Sequence, residues 1–448
     1  MSMMVNSARF GAGAISYDGP IIGEPAQYYD TTFGSAVKGV WALRKAVSGY
    51  AGSLVRIRDT NDNSEQDVGF DGSGNLGSFS VVGDAAVVKV YDQTGNGAHL
   101  EQATTTKQPL LQASQTPSGR HAIKFDGSDD FLADATNATN RPYMVGNLQL
   151  LVGVGPAGSI SQYKWIASIP QSGTAHSSPF YRACLLGRST TEFSVATNGG
   201  TITHHTPVLF SPTSGWGAIW ADFSGGEFSH HAMGCRLSTF TGTSVTYPLS
   251  TGLRLGSNGD GTECFGGYLF EIAALDGSPS VQNRGNALLK LADYYLNPAA
   301  RGVARRYWRS WLGERAGGSL ITLAEVELKQ SYAGSDETGS GTASARSEFS
   351  ASFPASKAFD NSIDDSTGVW ASNDATSSWL QYDFGSGVTK AITDITINSR
   401  DHASFYAECP RGGGVQSSDD GTSWTTEWLW RATDAWTQNQ IKKFGIST

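Results

Sequence analysis

The sequence predicts an all-β protein of more than one domain, on three observations. It carries 54 glycines in 448 residues, well above the ~7% of an average protein. Only 16% of residues are charged, and Ser, Thr and Asn are scattered throughout. Short runs of β-branched and aromatic residues recur between Gly-, Ser- and Asn-rich turns, the pattern of strands joined by tight connections rather than of packed helices.

Taken in order, residues 1–32 show no clear hydrophobic period and read as an N-terminal arm or docking segment. From 34 to 49, Val37, Val40, Trp41, Leu43, Ala46 and Val47 fall at helical spacing and predict a short amphipathic helix. Strands follow at 53–59, 85–91, 121–126, 148–154, 163–168, 192–196, 217–223, 251–256 and 268–275, a count that suits a two-sheet sandwich. A second short helix is predicted at 280–296, with Val281, Leu288, Leu291 and Tyr295 on one face and Pro298 beyond it. Residues 298–304 are a short hinge. From 305 to 448 the composition shifts, and eight of the 12 tryptophans lie beyond residue 300.

Two stretches give the first half its character. VYDQTGNGAHLEQ at 90–102 and IKFDGSDDFL at 123–132 each run a strand into an Asp and a glycine turn. Together they resemble the catalytic domain of the α-L-arabinofuranosidases of glycoside hydrolase family 54, and the concanavalin-like (LamG-like) domains of phage structural proteins. The resemblance covers roughly 33–297 and implies a concanavalin-like sandwich. Retaining glycosidases use two carboxylates about 5–5.5 Å apart, one nucleophile and one acid/base. The family nucleophile, a Glu in an ADLENGLF-type motif, corresponds in ADFSGGEF (221–228) to Ser224, with Glu227 three residues further on. The family acid/base corresponds in LRLGSNGDG (253–261) to Asp260. One carboxylate of the pair is therefore expected, Asp260, which would be catalytic only if the chain is an enzyme.

The second half carries four motifs in order. They are RRYWRSWLGERAGGSLITLAEVEL, FPASKAFDNSIDDSTGVWAS, SSWLQYDFGSG and VQSSDDGTSWTTEW. Together they resemble the discoidin (coagulation factor 5/8 type C) domain, a galactose-binding-like jelly roll shared with many carbohydrate-binding modules. One departure stands out. The RYWR…LAEVEL pair resembles the strands that normally close such a domain, yet comes first, so either the domain is permuted or KKFGIST at 442–448 closes it. The resemblance implies a structural Ca²⁺ in the loop after AFD, with Asp360, Asp365 and Thr367 as hard oxygen ligands. It also implies ligand recognition by loops at one end, where Tyr406, Arg411 and Trp436 are the expected contacts and His402 and Phe405 lie in the same irregular segment. Trp370 and Trp379 are expected to pack.

Other groups point less far. His204–His205 and His230–His231 are adjacent pairs, each expected on the surface in turns and offering at most one ligand to a site. Asp126, Asp129 and Asp130 could crowd a cation, though turn geometry alone explains them. Cys184, Cys235, Cys264 and Cys409 form no metal or redox spacing and read as isolated buried thiols. The net charge of −9 and the lack of a basic run argue against nucleic-acid binding. No apolar run has transmembrane length, so no membrane insertion is expected, and no signal peptide is seen.

The expected function is that of a bacteriophage virion protein, made in the host cytoplasm and exposed on the virion surface as an adhesin for host or matrix glycans. Its arm would dock to other virion proteins, and a homo-oligomer, for instance a trimer, is expected. The alternatives are a glycosidase of the arabinofuranosidase type and a decoration protein that binds no sugar.

Overall fold

The computed structural model describes residues 16–17, 28–134, 141–143, 147–155, 164–170, 181–187, 193–196, 203–205, 216–222, 227–232, 235–241, 252–257, 263–277, 302–313, 315–374, 377–432 and 435–445, with isolated positions between 279 and 295. The chain forms two compact units. One comprises Glu24–Ala232 with Ser238–Leu296, the other Asn297–Thr448 with Met1–Gly23 and Met233–Leu237. The fold is all-β, as the composition predicts.

In the first unit the strands join one curled, hydrogen-bonded network rather than two separate sheets. At its centre Leu148–Gly155 lies antiparallel between Gly217–Asp222 and Tyr268–Asp276. Both faces of this strand are buried along its whole length, which explains its unbroken apolar run.

The helix predicted at 34–49 is not formed. Tyr29–Phe33 makes a five-residue helix and Gly34–Ala36 a 3-10 turn, and Val37–Ala42 is a strand paired with Tyr268–Asp276. The strand is buried on both faces toward its end, so its apolar residues follow no alternation and imitate a helical period. Gly39 favours the strand: a Cβ there would meet the Trp41 ring at 2.4 Å. The helix predicted at 280–296 falls largely outside the described residues; Asn283, Ala287, Leu291, Tyr294 and Tyr295 are helical.

The VYDQTGNG motif is a brace for that misread strand. Asp92, 1% exposed, accepts hydrogen bonds from the backbone N–H groups of Val40 (3.2 Å), Thr94 (3.0 Å) and Ala98 (3.4 Å) and from Thr94 Oγ1. Gln93 donates to the carbonyls of Ala42 and Arg44 and accepts from the Ala46 N–H. Gly95 and Gly97 supply the left-handed φ of 80° and 70° that returns the chain within four residues. Nearby, Glu271 is 0% exposed and fully engaged, receiving Arg44 through both oxygens at 2.8 and 2.7 Å and Tyr29 Oη at 2.6 Å. A buried pair of this kind holds because every oxygen is satisfied.

The second unit is a sandwich. A five-stranded sheet runs Thr342–Ala345, Ser377–Asp383, Tyr307–Gly313, Gly412–Ser418, Thr425–Arg431. A four-stranded sheet runs Ser16–Tyr17, Ile441–Gly445, Asp394–Asn398, Glu325–Lys329. Alternate residues of both sheets meet in one core that includes Trp308, Val326, Trp370, Leu380, Ile395, Trp428, Trp430 and Phe444. Both candidate closing strands are used: Glu325–Lys329 and Ile441–Gly445 flank Asp394–Asn398 on opposite sides. The strand Tyr307–Gly313, first in sequence, is central in its sheet, so the domain cannot lack it.

Candidate functional site

Three loops of the second unit converge on Arg400. In the first, Asp364 caps the 3-10 turn Asp365–Thr367 by accepting from the Ser366 N–H at 2.9 Å. This turns the Asp365 carboxylate onto the Arg400 guanidinium, which it binds through two parallel hydrogen bonds of 2.7 Å each. In the second, Ser404 N–H donates to His402 Nδ1 and folds 402–405 into a tight bend. His402 then stacks on Phe405, centroids 4.3 Å apart and planes 29° from parallel. Arg400 lies 4.7 Å from the centre of the same ring. In the third, the Asn439 N–H donates to the Arg400 carbonyl and Gln438 Nε2 to Asp401 Oδ1 at 2.8 Å.

The product is an aromatic plate held by a charge pair. Arg400 is 8% exposed and fixed by Asp365, while Phe405 is 40% exposed. The exposed phenyl ring thus lies against a braced guanidinium. Its exposed part is apolar surface of the kind a sugar ring packs on, with the His402 imidazole stacked beside it.

The residues expected from sequence are placed differently. Trp436 is 2% exposed, donates from Nε1 to the Pro410 carbonyl at 2.7 Å and belongs to the core, so it is a packing residue and no sugar platform. Tyr406 is half-buried with its ring against the core, and its neighbour Phe405 takes the outward position. Arg411 is half-buried at the start of its strand, where its backbone bridges Gly313 and Ala432. Trp370 packs as expected, fully buried, whereas Trp379 is half-buried on the outer face of its sheet. All four paired histidines stand in strands, Thr203–His205 and Glu227–Ala232, rather than in turns. Ser224 and Asp260 lie outside the described residues, and of Glu227 only the backbone is described.

The expected calcium ligands separate. Asp365 is committed to Arg400, which takes it out of a ligand set. Thr367 Oγ1 bonds to the Asp364 carbonyl and lies 2.7 Å from Ser362 Oγ. Asp360 keeps an ion pair with Lys357 at 3.0 Å and accepts from the Ser362 N–H. Sequence reasoning missed Glu325. This carboxyl is 1% exposed, and neither oxygen accepts a well-formed hydrogen bond among the described residues. Burial, then the carboxylates of Asp360, Asp336 and Glu327, push it up to about 10, offset in part by the Asn361 backbone. A buried, unsatisfied carboxyl facing further carboxylates is the donor chemistry of a hard cation such as Ca²⁺. The alternation of LAEVEL, which sets Glu325, Glu327 and Lys329 on one strand face, was the available signal.

The ligand atoms of Asp126, Asp129 and Asp130 lie within 4.8 Å of one another. The cluster is explained by its turn: Asp126 Oδ1 accepts from the Ser128 and Asp129 N–H groups and Asp130 Oδ2 from that of Asp126. Burial and the adjacent Asp126 push the Asp130 carboxyl up to about 6.

Residues 342–444 match the F5/8 type C domain family. The matched span excludes Tyr307–Gly313 and Glu325–Lys329, although both strands are integral to the sandwich. No curated protein matches the chain. Among solved structures, a GH54 α-L-arabinofuranosidase soaked with a cyclic sulfate inhibitor is similar with a TM-score of 0.44 at 14% identity, over 91% of this chain and 97% of that one. An arabinofuranosidase complexed with arabinofuranosyl-α-1,2-xylobiose gives 0.43 at 14% identity, over 91% and 96%. A Trypanosoma rangeli sialidase gives 0.32 at 10% identity, over 42% and 31%. Likenesses of this degree carry no argument about chemistry.

Proposed function

We propose that the second unit is a carbohydrate-binding domain and that the chain acts as a glycan-binding adhesin on a virion surface. The observation that carries the binding role is Phe405, 40% exposed in a loop of the second unit and packed against His402 and the Arg400–Asp365 pair. A rigid plate loses little entropy when a sugar settles on it. Single-site affinity of this kind is weak, and many copies on one particle would raise it by avidity.

The virion setting rests on the resemblance of the 90–102 and 123–132 motifs to phage structural domains. In this reading the N-terminal segment, apart from Ser16–Tyr17 and Tyr29–Phe33, which belong to the chain's own units, docks to other virion proteins, and the copies form a homo-oligomer such as a trimer. Among the described residues no helix is long and apolar enough to cross a membrane.

Calcium belongs to the same proposal. Asp360 and Glu325 would hold it, with Asp336 as a further carboxylate nearby. The ion would neutralise the buried Glu325 carboxylate and tie the 359–368 loop, and through Asp365 also Arg400, to the sheet. Its part is structural.

Retention on immobilised polysaccharides tests the function. The wild-type chain should bind at least one, and Phe405→Ala should not. A wild-type chain that binds none favours the decoration role. Hydrolysis of an aryl arabinofuranoside, lost in Asp260→Ala, would replace the adhesin by the glycosidase.

A further inference from the structure

The outer face of the five-stranded sheet carries a second aromatic cluster, built from strand residues and from Trp424 in the turn just before Thr425–Arg431. Trp311 and Trp379 stand directly opposite one another on neighbouring strands. Arg309, two residues before Trp311 and therefore on the same face, lies 3.9 Å from the centre of the Trp424 ring, 5.4 Å from Trp311 and 5.7 Å from Trp379. Gln416 Oε1 accepts from both Arg309 Nε and Trp311 Nε1 at 2.7 Å, and its Nε2 donates to Thr426 Oγ1. The glutamine thus fixes the plane of the guanidinium and leaves both terminal nitrogens of Arg309 outside this network.

Arg309 has no carboxylate partner among the described residues. The residues in register beside it are the neutral Gln381 and Gln416. Burial alone pulls it down from the usual arginine range to about 10. By contrast Arg306 and Arg346, each next to the end of a strand of this sheet, face carboxylates: Arg306 holds Asp383 at 2.7 Å and Arg346 stands 3.9 Å from Asp374. Arg346 also lies 6.0 Å from the Trp311 ring, so two guanidinium groups flank one tryptophan. In a chain of net charge −9, a half-buried cation among three indoles and without a counter-ion is a local exception. Desolvating it costs free energy that an incoming anion would return. A guanidinium edge matches a carboxylate in two parallel hydrogen bonds, and half-exposed Trp379 and Trp424 can take the apolar face of the ring that bears it.

We infer that this face is a second saccharide site, selective for acidic sugars, in which Arg309 binds the carboxylate of a uronate or sialate and Trp379 and Trp424 receive its ring. It differs from the Phe405 site in its residues and in ligand charge, so the two stand or fall separately.

Titration of the full-length chain with trigalacturonate, with 3′-sialyllactose and with neutral galactotriose, followed by tryptophan fluorescence, tests it. At least one acidic trisaccharide should bind at least tenfold more tightly than the neutral one. Arg309→Gln should abolish that preference with an unchanged melting temperature, while Phe405→Ala should leave it intact. The arm that responds separates uronate from sialate. If Arg309→Gln fails to fold, Arg309→Lys and Trp424→Ala replace it, with expected losses of at least fivefold. Failure of both acidic sugars to bind, equal binding of the neutral one, or a preference that survives in folded Arg309 variants would overturn the proposal.

Discussion

Asp92 and Glu325 are both buried carboxyl groups, each 1% exposed, one in each unit of the molecule. Asp92 sits at the end of its strand and gathers the backbone donors of Val40, Thr94 and Ala98. Glu325 sits in a strand whose described neighbours bring more negative charge and no well-formed hydrogen bond. Burial is therefore no guide to role by itself. A buried carboxyl that gathers backbone N–H groups is explained by them, and one that lacks such partners calls for another explanation. The first describes the motif that most resembles an enzyme; the second describes a residue that no motif singled out.

The comparison breaks most readily at Asp92. Asp92→Ala should strand three backbone N–H groups and destabilise the first unit by on the order of 4 kcal/mol. The first thermal or urea transition should fall steeply while glycan retention by the remaining folded second unit is kept. An Asp92→Ala chain of near wild-type stability would remove the distinction.

Trp436→Ala sharpens the second unit's side of it. A fully packed indole should cost about 3–5 kcal/mol of stability. Binding by whatever fraction stays folded should be unchanged, since the ring faces the core. A loss of affinity without loss of stability would return Trp436 to the site.

Glu325 gives a pH signature. Its carboxyl is raised to about 10 in the folded chain, against an ordinary glutamate value of about 4.3 when unfolded. The native state then holds a proton that the unfolded state releases. In chelator the second unit should lose stability as pH rises from about 5 toward 10, by at most ~1.4 kcal/mol per pH unit. Glu325→Gln should flatten that slope, and millimolar Ca²⁺ should reverse it in the wild type but not in the variant. Melting temperatures measured across pH with and without calcium check this, and a wild-type curve that does not respond to either would contradict it.

The smallest effect is at the surface. Phe405→Ala should weaken sugar binding by about 1–2 kcal/mol, near tenfold, with no more than about 0.5 kcal/mol change in stability.

Strands such as Leu148–Gly155 and Tyr268–Asp276 were legible because their β-formers are bounded by turn residues. Val37–Ala42 was not, because burial on both faces erases the alternation that marks a strand. Asp92 was legible as the end of a strand running into a glycine turn. The irregular segment around 400–414 was legible as a loop, but not which of its rings points outward: adjacent Phe405 and Tyr406 differ only in which one the 3-10 turn Phe405–Glu408 points at the core. Trp436 stands in a polar stretch whose neighbours are exposed, and the sequence holds no sign that Pro410, 26 residues earlier, accepts from it. Glu325 was legible as one face of a strand but not as a site, for a related reason. Its meaning comes from Asp336 and Asp360, which the fold alone brings near.

The central claim is that the loop region around Arg400 binds sugar through Phe405. Calorimetric titration of a saccharide retained by the full-length chain, into wild type and Phe405→Ala, tests it most directly. The account predicts saturable one-site binding that falls about tenfold in the variant while both proteins melt at the same temperature. Identical isotherms for the two proteins would contradict it.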